Sequence, residues 1–423
     1  MNSETLKNGG DIGGHTLVLD EGGTGQESLI KEVLGRQIAA GGAVVVLGGS
    51  INGSLLTAMV AAAVEAGRSS DLLVVNPTCP ATSHTYNPVL HTAPVKVASH
   101  VLNFIADQDS EGAYDSKPTA ALVRAIVSCL QLAGLPYSYL DLGMFVMKPD
   151  AISALCEHMS AVHPDSVQLG SLRLACKPFL GAEGDICSKL LKARFSGLAG
   201  SMCMLGSGRA GDVFNSYQPD VVLHEALAAR KIVYLAIPYI GRGAAASNLR
   251  RIVISNLSDA VVRSSGMNSG IPALALFTDP GGCNDPSIEQ LLSAETESVL
   301  RVWISAGSLE DLGRESLDLR EACLSHARTI VLFKPETAEA IDIYSQLLPT
   351  EMDEDQDSSA MVRKRLLSLR ASEYVAISDH VVWGQIDSIG RSAMPSAATL
   401  DRPARHLHAR LIGADQFTQT IPI

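Results

Sequence analysis

Residues 21–28 read E-G-G-T-G-Q-E-S, and they decide the fold because they hold the frame of a phosphate-binding loop while reversing its charge. A β-branched run, His15 to Leu19, leads in, and an amphipathic helical run, SLIKEVLGRQIAA from Ser28, leads out; this context gives a G-x-x-x-x-G-K-[ST] pattern its meaning. With Ser28 laid on the Mg²⁺-side hydroxyl, Glu21 stands for the first Gly, Gln26 for the second and Glu27 for the Lys. Only Ser28 matches. The missing Lys would donate to the β- and γ-phosphates, and glycines permit the angles that turn amides toward an anion. Glu27 repels what a Lys attracts. At about 4 Å and an effective dielectric near 20, such a like-charge pair costs on the order of 4 kcal/mol, and about 1 kcal/mol where water screens it. Gly22, Gly23 and Gly25 are expected to retain left-handed backbone angles in a loop that is empty or holds an anion.

The chain has 423 residues, 46% of them hydrophobic and 18% charged, enough for a large core with room for an insertion. No run of 18 or more apolar residues occurs, and the polar, glycine-rich start lacks the zones of a signal peptide, so the expected location is cytoplasmic. The eight cysteines lie among apolar residues without C-x-x-C or zinc-ligand spacing and read as reduced core thiols. A formal charge of −12 argues against broad attachment to nucleic acid.

Seven short apolar runs begin at residues 15, 43, 71, 231, 273, 299 and 329, and their near-continuous Val/Leu/Ile content predicts strands of a mostly parallel α/β sheet covered on both faces. Between the third and fourth lie about 150 residues of helical periodicity, with VKVASHVLNFI, TAALVRAIVSCLQLAG, DAISALCEHM and DICSKLLKARFSGLAGSM as its clearest segments. G-S-G-R at 206–209 reads as a helix C-cap. The residues at 349–359, with five acids, read as a linker, followed by a basic helical piece, VRKRLLSLR, and one strand-like run, EYVAISDHVVW, from 373. His224, His326 and His380 stand alone in sequence, and His406 and His408 lack a third ligand for a metal.

The order of these elements resembles the cytosolic ATPase region of type IV coupling proteins, the TraD/TraG-type motors of conjugation and type IV secretion. The resemblance runs from about residue 15 to 390. It rests on the strand and loop at 15–27, on GAVVVLGGSINGS and the third strand, on SHTYNPV at 83–89 and on the stretch from Pro219 to Val261. PALALFTD at 272–279 falls where that family carries its Walker B strand, and VLFKPETAEAIDIYSQLL resembles its closing strand and helix. The resemblance implies a RecA-like P-loop NTPase core at 1–97 and 201–348, an all-α insertion at 98–200, a linker at 349–359 and a C-terminal extension at 360–423. It marks Gly22, Gly23, Thr24, Gly25, Gln26, Glu27, Ser28 and Asp279 as the ancestral nucleotide site.

The departures from that family fall at chemically coupled places. A motor needs a carboxylate for Mg²⁺ and a second to polarise the attacking water, whereas here Asp279 is followed by Pro280. Gly307 stands where a sensor Gln is expected, and GGSINGS lacks the family's acidic and basic pair. The expectation is therefore a pseudo-ATPase component of a conjugation or secretion apparatus, acting in assembly or in recruiting cargo, with no catalytic residue, cofactor or metal. Its expected partners are machinery proteins, among them an active paralogue. The first core strand starts near residue 15, which leaves no room for the family's membrane helices, so attachment at the inner membrane is expected only through partners. The competing expectations are an unconventional ATPase ring that binds ATP and Mg²⁺ with groups from a neighbouring subunit, and a DNA-handling protein without the motor.

Overall fold

The computed structural model describes residues 14–106, 117–237, 244–264, 270–278, 286–313, 317–347, 363–364, 366–370, 373–377, 381–386 and 392–393. The acidic stretch at 349–359 lies outside them, as do His380, His406 and His408. The strands are β1 (Thr16–Leu19), β2 (Val44–Gly48), β3 (Leu72–Val75), β4 (Ile232–Ala236), β5 (Ala273–Thr278), β6 (Leu300–Ala306), β7 (Thr329–Phe333), β8 (Glu373–Ile377), β9 (Val381–Ile386) and β10 (Ser392–Ala393). The first seven coincide with the seven apolar runs. The run from 373 forms two strands rather than one, an antiparallel pair with Ile377 opposite Val381. The sequence between them, S-D-H at 378–380, carries none of the Gly, Pro or Asn that usually announce a turn.

The chain divides into two compact units, one comprising Met1–Leu72, Ala229–Ile232 and Ser265–Ile423, the other Leu73–Ala228 and Val233–Ser264. In the first unit the strands run in the order β10-β9-β8-β7-β1-β6-β5-β2. From β7 through β1, β6 and β5 to β2 every pairing is parallel, and the edge from β8 outward is antiparallel. Strands β1, β2 and β7 are buried at every position, which explains their near-continuous apolar sequence. His15, just before β1, is buried as well; its Nε2 meets the Ser293 carbonyl at 3.1 Å and its Nδ1 accepts from the Val302 amide at 3.1 Å. That fixes a neutral ring, and burial lowers its pKa. Helix α1 (Thr24–Ala39) follows β1 and packs on α2 (Gly53–Glu65), whose N-terminus is capped by the Asn52 side chain.

The second unit holds β3, β4 and the helices α3 (Pro94–Ala106), α4 (Lys117–Leu132), α5 (Tyr139–Phe145), α6 (Pro149–Val162), α7 (Val167–Cys176), α8 (Ser188–Leu205), α9 (Gly208–Phe214), α10 (Leu223–Ala228) and α11 (Ala244–Ser264). Helix α4 packs against α3, α6 and α7, and α3 also meets α8 and α11. Gly206 ends α8 as the G-S-G-R reading expects, and a side chain at Gly211 would strike the Gly206 carbonyl oxygen at 2.4 Å. The Y-N-P segment is a buried tie in this unit. Tyr86 donates to the Asn256 side chain at 2.8 Å. Asn87 donates to the Tyr137 and Ser216 carbonyls and accepts from the Val89 and Leu90 amides. Among the described cysteines, Cys129, Cys176 and Cys323 are buried as expected, whereas Cys79 and Cys203 are exposed. His224 is not isolated either: its ring stands edge-on to that of His91, with centroids 5.4 Å apart.

In the first unit the chain continues through α12 (Ser287–Leu292), α13 (Leu309–Gly313), α14 (Leu317–His326) and α15 (Ala338–Leu347). The molecule is thus an α/β protein with a mostly parallel sheet and large helical regions. No helix of the described residues is long and apolar enough to cross a membrane.

Candidate functional site

Strand β1 lies between β6 and β7, and the parallel registers Leu19 to Ala306 and Leu19 to Leu332 bring the loops after all three strands to one edge of the sheet. In open α/β sheets this carboxyl edge is where ligands bind. The Asp20 amide extends the ladder by donating to the Ala306 carbonyl at 3.1 Å, and the chain then turns. Only residues 20–23 separate β1 from α1, so the helix already contains Thr24, Gly25, Gln26, Glu27 and Ser28. Of the glycines expected to adopt left-handed angles, Gly23 does so (φ 72°), whereas Gly22 does not and Gly25 sits in the first helical turn.

The acceptor of the loop's amides is Asp20. Its Oδ1 accepts from the Gly22 amide at 3.2 Å, and its Oδ2 from the Gly25 amide at 3.0 Å and the Gln26 amide at 2.9 Å. Asp20 is only 5% exposed. The first amides of a helix carry partial positive charge and ordinarily await a cap or an anion. Here the chain supplies that anion itself. Sequence reasoning passed over Asp20, although a carboxylate accepting from the amide two residues on, in D-x-G, is a recognisable local signal.

The neighbouring side chains complete the closure. Glu21 reaches over to the start of α15, where its carboxylate accepts from the Glu336 amide at 2.6 Å, the Thr337 amide at 2.9 Å and the Thr337 hydroxyl at 2.9 Å. The Gln26 side-chain oxygen accepts from the Ser305 hydroxyl at the end of β6, at 2.8 Å. Glu27 pairs with Lys31 one turn on, at 2.6 Å, and that bond, followed by one to Ser54, holds its carboxyl below the usual carboxylate range. The Glu339 carboxyl stands above the usual carboxylate range, held up first by the neighbouring Glu310 carboxyl and in smaller part by burial and by Glu21. Tyr344, buried nearby, has its phenol pKa raised by burial first and then by Glu21 and Asp20. Gly307 lies in the turn before α13, where Ser308 and Asp311 cap each other's amides. Asp279 lies outside the described residues, and β5 is described to Thr278.

A mostly parallel sheet with helical regions, and a β1–α1 turn at its carboxyl edge, define an α/β fold. Among solved structures it is similar to the plasmid coupling protein TrwB in complex with the non-hydrolysable GTP analogue GDPNP, with a TM-score of 0.58 and 14% identity over 92% of this chain and 88% of that one. The unbound monoclinic form of the bacterial conjugative coupling protein TrwBdeltaN70 gives 0.57 at 14% identity, over 92% and 87%. VirB4 of Thermoanaerobacter pseudethanolicus gives 0.49 at 13% identity, over 91% and 89%. At this identity the likeness to TrwB establishes the fold. No protein-family model matches the sequence, and no curated protein matches it.

Proposed function

We propose that the chain is a coupling-protein-like component of a conjugation or type IV secretion apparatus that acts without nucleotide, in assembly or in recruiting partners. One observation carries this reading: the buried Asp20 carboxylate accepts from the amides of Gly22, Gly25 and Gln26, the groups a phosphate would need. A nucleotide would have to displace that carboxylate and approach Glu21, Glu310, Glu336 and Glu339 as well, without the Lys that would offset its charge. The likeness to TrwB supports the setting, and machinery proteins, including an active paralogue, are the partners that follow from it. The test is calorimetry of the purified protein with Mg²⁺-ATP, together with a phosphate-release assay. No heat of binding and no release are expected. Micromolar binding with turnover would replace this reading with a ring ATPase whose missing groups come from a neighbouring subunit.

A further inference from the structure

Three cysteines of the second unit stand on three helices that pack against one another. Cys129 lies on α4, Cys156 on α6, and Cys176 ends α7, and each of these helices touches the other two. Ile152, Leu155 and Met159 mark the buried face of α6; Cys156, next to Leu155, is half-buried at the edge of that face, while Cys129 and Cys176 lie inside. The Cys156 and Cys176 side chains share a hydrogen bond. Two sulfurs already in such contact can be joined with little backbone movement, which is the geometric condition for a disulfide. Arg173 stands one turn before Cys176. Its guanidinium donates to the Ser160 hydroxyl at 2.9 Å, and that hydroxyl donates to the Cys156 carbonyl oxygen at 2.6 Å, which keeps a positive charge beside Cys156.

The two thiols are unequal. The hydrogen bond from Cys176, and after it the charge of Arg173, hold the Cys156 thiol below its usual range against burial and Glu157, whereas that same bond, followed by burial, pushes the Cys176 thiol up. Burial pushes Cys129 up to about 11. Thiolate character and access decide which cysteine an oxidant meets first. We propose that Cys156 and Cys176 form a reversible oxidation site for hydrogen peroxide, with Cys156 as the attacking sulfur and Cys176 as the resolving one. The Cys156 thiolate attacks one peroxide oxygen and the O–O bond breaks. The sulfur becomes a sulfenic acid, and the departing hydroxide takes up the proton that Cys156 had released to solvent, forming water. The Cys176 sulfur then attacks the Cys156 sulfur, the S–O bond breaks, and the leaving hydroxide departs as water with the Cys176 proton. The thiol pair is oxidised to a disulfide and the peroxide is reduced to water. An external dithiol reverses the bond by exchange and is itself oxidised to a disulfide. The product ties α6 to α7, whether or not the loop after β1 takes nucleotide.

The test treats the reduced full-length protein with a few equivalents of hydrogen peroxide, blocks the remaining thiols by alkylation and maps the products by tandem mass spectrometry. A Cys156–Cys176 disulfide is expected to form before the exposed Cys79 and Cys203 are oxidised, to revert with dithiothreitol, and to raise the unfolding midpoint. In Cys176→Ala, dimedone is expected to trap Cys156 as the sulfenic acid. Arg173→Gln, which removes the charge, is expected to slow alkylation of Cys156 by iodoacetamide at neutral pH severalfold. Mapping the natural protein needs no substitution, so it decides even where a variant folds poorly. Cys79 and Cys203 oxidised while Cys156 stays reduced, Cys156 carried on to the sulfinic acid without a disulfide, or a bond from Cys156 to Cys129 would each overturn the proposal.

Discussion

The loop after β1 and the groove between α4 and α7 differ in where their polar and apolar groups find partners. In the loop, the Gly22, Gly25 and Gln26 amides are held by the chain's own carboxylate, and Glu21, Gln26 and Glu27 are each bonded to another residue of the same unit. In the groove, lined by Lys117, Ala121, Arg124, Val167, Ser171 and Leu174, the aliphatic residues Val167 and Leu174 are 80% and 61% exposed. The amides that start α1 are bonded to the chain's own carboxylate, while Val167 and Leu174 remain largely in solvent.

The sharpest way to break this comparison is Asp20→Ala. It leaves three amides near a helix N-terminus without their anion, and hydrogen bonds to charged groups contribute about 1.5–3 kcal/mol each, so a loss of roughly 3 kcal/mol or more is expected in urea unfolding. Asp20→Asn, which keeps one acceptor oxygen, is expected to lose about half as much. A cost below about 0.5 kcal/mol, the range of an ordinary surface substitution, would mean that Asp20 is no more than a surface residue. Glu21→Ala removes a more exposed tie to the start of α15 and is expected to cost about 1 kcal/mol, as capping residues typically do.

A smaller effect comes from His15. Its folded pKa is lowered by burial, against the opposing effects of the Ser293 carbonyl and Glu297 and with the help of His326. The unfolded chain therefore binds the proton first, and the contribution of neutral His15, complete above the unfolded value of about 6.5, is lost as pH falls from there through the folded value. Urea midpoints between pH 7.5 and 5 are expected to fall more steeply for the natural protein than for His15→Gln; equal slopes would remove this contribution. The smallest effect sharpens the other side of the comparison. Leu174→Glu is expected to change stability by no more than about 0.5 kcal/mol, because the side chain is 61% exposed.

Much of the fold was legible in the sequence because parallel strands buried on both faces must be apolar almost throughout, as AVVVLG, ALALF and IVLF are. The long helices announced themselves by period, whereas α5, of seven residues, and α7, interrupted by Gly170, are too short or too mixed to do so. The loop was legible in place but not in state. Its frame drew attention to Glu21 through Ser28, while the deciding residue, Asp20, stands one position earlier and acts through bonds to amides two, five and six residues on. Glu27, a bare reversal of charge in the sequence, is already balanced by Lys31 on its own helix.

The most direct test of the central claim is the unfolding midpoint of the natural protein and of Asp20→Ala, each with and without millimolar inorganic phosphate and with Mg²⁺-ATP. A ligand at about 100 times its Kd stabilises a folded protein by about 2.7 kcal/mol, well within reach of such a measurement. If Asp20 is the loop's resident anion, the natural protein is indifferent to both ligands and Asp20→Ala recovers stability with phosphate. A natural protein stabilised by Mg²⁺-ATP, or an Asp20→Ala variant that phosphate leaves unchanged, would contradict it.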